Sequence, residues 1–257
     1  MADEILCTIA DRIATVTLNR PAKRNAMSTA LLNGLRAAFA ALEENRDVRV
    51  VVVRGAGTAF CSGMDLDEMK AQQAQQADPE ANVIEVLQEV ERSRHPTIAM
   101  VQGDAFAGGC ELALHCDLRV VADVARFAMP LARIGLIVPF VLGQKIVEIV
   151  GPAYARQILF TGQPVDARRA REIGMVHEVV PAAELEAATY ALARTIAGHA
   201  PLSLAGMKAT IQRAIALRER IDHADLDERT RHVRKSEDAR EGVRAMLERR
   251  TPNFRGV

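Results

Sequence analysis

The first fifty residues alternate between apolar and polar positions in two different ways. Residues 4–18 (EILCTIADRIATVTL) alternate with a period of two around the pair Asp11 and Arg12, which predicts a β-hairpin. Ser28 then precedes a stretch in which apolar residues recur at helical spacing. These residues are Leu31, Leu35, Phe39 and Leu42. Because serine can cap a first helical turn, the pattern predicts an amphipathic helix that begins after Ser28.

The middle of the chain alternates between short apolar runs and helical stretches. Residues 48–54 (VRVVVVR) form an apolar run of the kind found in strands that are covered on both faces. The pattern then predicts a helix at 83–93, a strand at 97–102, a helix from about Gly109 and a strand at 117–122. This alternation predicts right-handed crossover connections and a layered α/β core.

Residues 71–82 (AQQAQQADPEAN) are polar and low in complexity, so we expect a mobile loop or a frayed helix there.

The C-terminal third has a different pattern, which is helical throughout. The last predicted strand is MVHEVV at 175–180, and helical periodicity follows from Ala183. The pattern therefore divides the chain into an α/β core over residues 1–182 and a helical region over residues 183–257.

Composition excludes several functional classes. The 257 residues carry no net charge, which argues against a nucleic-acid partner. No apolar run approaches the roughly 18 residues of a membrane span, and the N-terminus does not resemble a signal peptide, so we expect a cytoplasmic protein without a membrane partner. The four cysteines form no CxxC pair and the six histidines are scattered, so we expect no disulfide and no metal.

The stretch Gly103–Asp117 (GDAFAGGCELALHCD) places one carboxylate, Glu111, within an apolar run. A buried carboxylate is costly unless it is paired or neutralised, so Glu111 is either a hydrogen-bonded structural acid or a catalytic one. The pair Gly108 and Gly109 lets the backbone approach a ligand closely. A helix that begins there would point its free N–H groups toward that ligand.

A second glycine loop, FCSGMDL at 60–66, follows the predicted strand at 48–54 and could present another N–H group. Two N–H donors and one carboxylate would suit enolate chemistry, because the donors polarise a carbonyl while the acid moves a proton on the adjacent carbons. Glycines before helices are common, so a purely structural role for both loops stays open on this argument alone.

Five segments of the chain resemble the crotonase, or enoyl-CoA hydratase/isomerase, superfamily. They are ATVTLNRPAKRNAM (14–27), FCSGMDLDEM (60–69), PTIAMVQGDAFAGGCELALHCDLRVVA (96–122), TGQPVDARRAREIGMVHEVVP (161–181) and SEDAREGVRAMLERRTPNF (236–254). The resemblance runs nearly end to end and implies an α/β fold built as a spiral of ββα units with a C-terminal all-helical region. It also implies a homo-oligomer, a trimer or a hexamer.

The same resemblance implies a substrate and a site. The substrate would be an acyl-CoA thioester, so coenzyme A would be part of the substrate and no separate cofactor is expected. Its carbonyl would lie in an oxyanion hole formed by the backbone N–H groups of Met64 and Gly108, with Glu111 as the proton-transfer residue. The residues expected to contact the acyl-CoA are Lys23, Arg24, Ser62, Met64, Asp65, Leu66, Asp67, Gly108 and Leu131.

One position departs from the hydratase pattern. Hydratases carry a second glutamate after the proline of FAMPLARIGL, and this chain has Leu131 there. The apolar segment IVPFVLGQKIV that follows looks like that of some Δ3,Δ2-enoyl-CoA isomerases, although those often take their base from the position of Leu131. The resemblance therefore implies an isomerase or a one-glutamate hydratase. An acyl-CoA decarboxylase of the same fold and a catalytically silent acyl-CoA-binding protein are the alternatives.

Six further side chains have competing interpretations. His115, four residues after Glu111, is expected to be a core or subunit-contact histidine, and Asp65 is expected to order its loop by local hydrogen bonds. Asp104 is the best remaining candidate for a partner acid, although a turn-forming role is favoured. Lys23 and Arg24 could meet the phosphates of coenzyme A, and Lys208 is a weaker candidate for the same contact.

The C-terminal segment predicts an oligomer contact. In AREGVRAMLERR, Val243, Met246 and Leu247 share one helical face, which needs a surface to cover it. We expect that surface to be a neighbouring subunit, and we expect Phe254 to pack against the core or the same neighbour. Residues 183–257 are therefore predicted to be an oligomerisation region.

Overall fold

The structure, a computed structural model, describes residues 3–74, 79–215 and 221–256. The strands in these ranges are β1 (Ile5–Ala10), β2 (Ile13–Leu18), β3 (Val50–Gly55), β4 (Thr97–Val101), β5 (Ala105–Phe106), β6 (Leu118–Ala122), β7 (Arg126–Ala128), β8 (Val165–Asp166) and β9 (Glu178–Val180). The α-helices are α1 (Thr29–Glu44), α2 (Leu66–Ala74), α3 (Pro79–Arg92), α4 (Gly108–His115), α5 (Phe140–Thr161), α6 (Ala167–Glu172), α7 (Leu185–Ala197), α8 (Pro201–Ile215), α9 (Ala224–Lys235) and α10 (Glu237–Leu247).

Two sheets organise the core. The larger has six strands in the order β1-β2-β3-β4-β6-β9, and the smaller has three in the order β5-β7-β8. Within the larger sheet, β1 is antiparallel to β2 and every other neighbouring pair is parallel. Parallel neighbours need crossover connections, which the helices between them supply. The predicted layered α/β core is confirmed.

The N-terminal hairpin forms as its sequence predicts. Strands β1 and β2 pair in register from Ile5 with Leu18 to Ala10 with Ile13. The turn between them consists of Asp11 and Arg12, whose φ angles are 51° and 64°. Two consecutive residues with positive φ match the right-handed twist of a tight hairpin.

Strand β3 is covered on both faces, as its apolar run predicts. Val51 and Val53 join the core cluster that contains the apolar faces of α1, α3 and α4. Val50 and Val52 point to the opposite face, where they join a cluster with residues of α7. All four valines are fully buried, because alternate side chains of a strand point to opposite faces of its sheet.

Some predicted boundaries differ from those in the structure. The segment 71–82, expected to be a loop or a frayed helix, contributes to the end of α2 and the beginning of α3, while residues 75–78 lie outside the described residues. The strand predicted at 175–180 is shorter, since β9 begins at Glu178. Met175 and Val176 are instead buried in the turn after α6, where both N–H groups donate to the carbonyl oxygen of Ala170.

The C-terminal region is helical as predicted, but its helix α10 packs on its own chain. Val243 is buried in a small cluster with Met69 and Leu136, and α10 lies against the turn at 131–134. Part of the face expected to need a neighbouring subunit is therefore covered within the chain. The oligomer itself stays a prediction. No helix in the described ranges is both long and apolar enough to cross a membrane.

Replacement of Gly109 by alanine should destabilise the protein. A Cβ atom at Gly109 would lie 2.2 Å from the carbonyl oxygen of Cys61, and both residues are buried in the core. We expect the free energy of unfolding to fall by about 3 kcal/mol or more. Urea unfolding of the purified variant measures this change.

Gly206, in the middle of α8, provides the matched control because a Cβ atom added there would meet nothing within 4 Å. Gly206→Ala should leave the stability unchanged or raise it by roughly 0.5–1 kcal/mol, since alanine favours helix. If Gly109→Ala unfolds at the same urea concentration as Gly206→Ala, the close approach of α4 to Cys61 is not a constraint on the fold.

Candidate active site

A cavity of about 470 Å³ lies beside the N-terminus of α4, within the size range of small-molecule sites. It is bounded by the loop that precedes α2, by the turn at 131–134 and by the last turn of α10. Its lining residues are Lys23, Ala26, Ser62, Met64, Asp65, Leu66, Asp67, Met69, Val83, Phe106, Ala107, Gly108, Glu111, Met129, Pro130, Leu131, Ile134, Leu136, Pro139, Leu142, Met246 and Leu247.

Two glycine loops meet at this cavity. Gly63 has a φ of +92°, and a Cβ atom placed there would lie 2.9 Å from the Cβ of Ala107 and 3.3 Å from the amide nitrogen of Gly108. Only a glycine lets the two loops approach so closely, and the positive φ favours glycine as well. The loop before α2 and the N-terminus of α4 are therefore in direct contact.

The N–H groups of Met64 and Gly108 are free to donate into the cavity. Both residues line it, and within the described ranges neither N–H group donates a hydrogen bond to the protein. Their neighbours are bonded: Asp65 donates to the carbonyl of Met27 at 3.0 Å, and Glu111 donates to the carbonyl of Ala107 at 3.0 Å. Two such N–H groups on touching loops are what the predicted oxyanion hole requires.

The backbone immediately before α4 is strained. Ala107 has φ 48° and ψ −119°, a conformation that residues with a side chain rarely adopt. Hydrogen bonds hold it there: the N–H of Ala107 donates to Ala128 at 2.8 Å, and that of Phe106 donates to Cys61 at 2.9 Å. The strain sits one residue before Gly108, at which α4 begins.

Glu111 is a buried carboxyl group without a hydrogen-bond partner. It lies in the first turn of α4, its side chain is fully buried, and within the described residues neither of its oxygens is hydrogen bonded. Burial raises the pKa of this carboxyl well above its ordinary value, and the charge of Glu91 adds to the rise while that of Lys145 opposes it. A structural acid would be bonded, so the structure favours the catalytic alternative.

The loop that carries Met64 is ordered by Asp65, as the sequence predicts. One oxygen of Asp65 accepts from Arg20 Nη1 at 3.0 Å, and the other accepts from the N–H of Asp67 at 3.0 Å. Although burial opposes ionisation, these hydrogen bonds hold the pKa of Asp65 below its ordinary value. Leu66 and Asp67 line the cavity beside Asp65. Ser62 lines it as well, and its backbone N–H donates to the carbonyl oxygen of Arg24 at 3.1 Å.

Lys23 and Arg24 occupy different places. Lys23 lines the cavity and forms an exposed ion pair with Asp67 at 3.1 Å. Arg24 does not line the cavity, because its guanidinium binds Asp104 at 2.6 Å. Arg126 binds the same carboxylate at 2.9 Å. Although burial opposes ionisation, the two arginines keep the pKa of Asp104 below its ordinary value, so the sequence-based candidate for a partner acid is away from the cavity and ionised.

Two other sequence-based candidates lie in the core. Lys208 is buried, and its ammonium donates to the carbonyl of His95 at 3.0 Å and to Asp117 at 2.7 Å, so it is not available to a phosphate. His115 is buried as predicted and donates from Nδ1 to the carbonyl oxygen of Glu111 at 2.8 Å.

Sequence reasoning missed the apolar wall of the cavity and one buried cation. The wall includes Met129, Ile134, Leu136 and Leu142 beside the expected Leu131, with Met246 and Leu247 from α10. The cation is Lys145, which interrupts the apolar run VLGQKIVEIV. A lysine at a buried helix position was the available signal, since lysine is almost never fully buried unless it is paired.

Comparison with known proteins gives consistent similarities over the whole chain. The profile of the enoyl-CoA hydratase/isomerase family matches residues 8–257. The 2,3-dehydroadipyl-CoA hydratase of Escherichia coli strain K12 is 31% identical over 253 residues, which cover 98% of this chain and 99% of the relative.

Solved structures agree with the fold. The structure of methylmalonyl-CoA decarboxylase complexed with 2S-carboxypropyl CoA covers all of both chains with a TM-score of 0.91 and 26% identity. An enoyl-CoA hydratase/isomerase from Xanthobacter autotrophicus Py2 also covers all of both chains, with a TM-score of 0.83 and 33% identity. The predicted crotonase-like spiral with C-terminal helices is confirmed.

Replacement of Glu111 by glutamine should stabilise the protein at high pH. Folding raises the pKa of this carboxyl, so the free energy of unfolding falls as the pH rises from the ordinary pKa to the raised one. In that range the folded protein must bind a proton that the unfolded chain has lost, and above it the buried group must carry a charge. The stability gain of Glu111→Gln should therefore appear above about pH 4.3, the ordinary glutamate pKa, and grow with pH by at most about 1.4 kcal/mol per pH unit.

Urea unfolding at a series of pH values measures this gain, and Asp65→Asn is the opposite control. Because folding lowers the pKa of Asp65, that variant should lose stability at neutral pH and regain parity as pH falls. If Glu111→Gln is no more stable than the parent at pH 8, the carboxyl of Glu111 has partners that compensate its burial.

Proposed function

The chain belongs to the enoyl-CoA hydratase/isomerase family, and we propose that it moves a proton on an acyl-CoA thioester through an enolate intermediate. The N–H groups of Met64 and Gly108 would hold the thioester oxygen, and Glu111 would carry the proton. The observation that carries this proposal is a buried carboxyl group in the same cavity as two N–H donors, all of them without a hydrogen-bond partner in the described part of the chain.

The proposed mechanism uses the low dielectric of the cavity. As a proton leaves C2 of the acyl group, negative charge moves to the thioester oxygen, where two fixed N–H donors stabilise it without having to reorganise. The N-terminus of α4 adds the positive end of its dipole at the same point. Glu111, in its ionised form, accepts the proton and in its neutral form returns it.

We propose that the reaction is isomerisation of a 3-enoyl-CoA to a 2-enoyl-CoA. One carboxyl group suffices for it, because the proton removed from C2 can be returned at C4 of the dienolate. The other carboxylates that line the cavity, Asp65 and Asp67, are paired with Arg20 and Lys23. Leu131 belongs to the apolar wall, so the described lining offers no second acid to orient a water molecule.

Two reactions of the same enolate are the alternatives. Hydration with Glu111 as the sole carboxylate is supported by relatives that are named hydratases. Decarboxylation is supported by the similarity to methylmalonyl-CoA decarboxylase, since loss of carbon dioxide needs chiefly an oxyanion hole. A silent acyl-CoA-binding protein is disfavoured, because a binder would gain nothing from a carboxyl group whose burial costs stability.

The proposed substrate orientation follows from the lining. The acyl group would contact the apolar wall around Leu131, and coenzyme A would leave the cavity past Ser62 and Asp67, where Lys23 could meet a phosphate. A cytoplasmic homo-oligomer, trimer or hexamer, acting in fatty acid metabolism completes the proposal.

Glu111→Gln should abolish turnover without weakening binding. The amide keeps the size of the side chain but cannot exchange a proton, so kcat should fall by about 10²–10⁴-fold while the Kd for a saturated acyl-CoA stays the same. A spectrophotometric screen of 3-enoyl-CoAs and crotonyl-CoA measures turnover, and calorimetry measures binding.

Glu172→Gln, at an exposed glutamate of α6 that pairs with Arg169, is the control and should keep full activity. If Glu111→Gln retains most of the parent's kcat, the proposed proton carrier is wrong. If the parent turns over none of these substrates, the isomerase and hydratase proposals both fail and a malonyl-type thioester tests decarboxylation.

Leu131→Glu should introduce hydratase activity on short 2-enoyl-CoAs. The substitution restores an acid where hydratases carry their second glutamate, facing the same cavity as Glu111. A carboxyl placed beside Ile134 should have a raised pKa and cost roughly 1–3 kcal/mol of stability. Hydration of crotonyl-CoA at several pH values measures the gain.

Leu131→Gln separates the added acid from the added polarity, and it should hydrate crotonyl-CoA no faster than the parent. A parent enzyme that already hydrates crotonyl-CoA faster than it isomerises 3-enoyl-CoAs would show that Leu131 is no handicap, and the isomerase proposal would give way to the one-glutamate hydratase.

A further inference from the structure

Three ionisable side chains from three helices form a row behind the carboxyl of Glu111. His115 Nδ1 lies 3.7 Å from Glu111 Oε2, and His115 Nε2 lies 3.9 Å from Glu91 Oε2 on α3. Glu91 Oε1 in turn accepts from Lys145 Nζ on α5 at 2.5 Å. Within the described residues, no other basic nitrogen lies within 4.0 Å of the Glu111 carboxylate.

The hydrogen of the imidazole is on the nitrogen nearer to Glu111. Nδ1 donates to the carbonyl oxygen of Glu111 at 2.8 Å, and a carbonyl can only accept, so Nδ1 carries the hydrogen. Burial lowers the pKa of His115 to about 4, because the nearby charge of Glu91 does not compensate for the loss of water. At neutral pH the ring is therefore an uncharged N–H donor beside the carboxylate.

Lys145 keeps a positive charge at a buried position. Its ammonium is bound by Glu91 and by Glu148, the latter at 3.1 Å, and its side chain is 9% exposed. Although burial opposes ionisation, these two carboxylates raise its pKa above the ordinary value. An apolar side chain at this place would cost less to bury, so packing alone gives no reason for a lysine.

We propose that His115 and Lys145 are positioning residues that keep Glu111 able to ionise at its buried position. The N–H of His115 can turn from the carbonyl oxygen to Oε2, where it favours the ionised carboxylate over the neutral acid. The charge of Lys145 acts in the same direction through the low-dielectric interior, and Glu91 acts against it. The inference rests on the proposed role of Glu111 as the proton carrier.

Other charges face the same groups and affect their ionisation. Arg119, on β6, is buried and donates to the carbonyl oxygens of Met175, Ala113 and Cys116, and its charge disfavours protonation of His115. Glu148 faces Lys145 but is outside 4.0 Å of His115. These contacts determine whether each substitution should raise or lower the titration midpoint of Glu111.

The test is an infrared titration of the Glu111 carboxyl stretch, taken as the difference between each protein and its Glu111→Gln counterpart. His115→Leu and Lys145→Met should both titrate about one pH unit above the parent, because each removes an interaction with the ionised form. At a pH below the parent's midpoint, the ionised fraction, and kcat for 3-enoyl-CoA isomerisation with it, should fall about tenfold.

Three further variants separate the proposal from a packing role. His115→Asn keeps an N–H near the position of Nδ1 and should titrate like the parent. Glu91→Gln removes a negative charge and should lower the midpoint, the opposite sign to the others. Lys208→Met removes a second buried lysine, whose ammonium binds Asp117 instead, and should lose stability without moving the titration.

A parent-like midpoint in both His115→Leu and Lys145→Met would overturn the proposal, as would an equal shift in Lys208→Met. If His115→Leu fails to fold, the opposite shifts expected of Lys145→Met and Glu91→Gln decide the matter. If the midpoints move as expected but no 3-enoyl-CoA is converted, the proposed isomerisation fails while the positioning role stands.

Discussion

The site depends on one uncompensated burial, that of the carboxyl group of Glu111. The fold removes this group from water and, within the described residues, offers its oxygens no hydrogen bond. Burial raises the pKa of this carboxyl well above its ordinary value, which supports the proposed role of Glu111 as the proton carrier. Burial of this carboxyl lowers the stability of the folded protein, which is usual where a side chain must react instead of binding a neighbour.

The backbone around Glu111 is fixed by close approach. Gly109 and Gly63 allow α4 and the loop before α2 to touch, and the strained Ala107 joins the smaller sheet to the helix. At one cavity, these contacts leave the N–H groups of Met64 and Gly108 without partners among the residues that the structure describes. In the proposed mechanism, the two N–H groups stabilise the oxygen that gains negative charge, and Glu111 in the same cavity accepts the proton from the adjacent carbon.

Much of the fold and part of the site could be predicted from the sequence, each for a physical reason. Apolar runs such as that of β3 report burial on both faces, and a family resemblance places Glu111 and the two donor amides. Arg24 and Lys208 each bind partners at least 80 residues away along the chain, and local patterning does not encode such contacts. The covering of the cavity by α10 was missed for the same reason.

The most direct test of the proposed role of Glu111 is exchange of the C2 protons of butyryl-CoA in deuterium oxide, followed by proton NMR. Enolate formation is the step that isomerisation and proton exchange share, and a saturated thioester can undergo no other step in this site. The parent should exchange these protons, and Glu111→Gln should bind butyryl-CoA without exchanging them. Binding of butyryl-CoA by the parent with no exchange of its C2 protons would contradict enolate formation at this site.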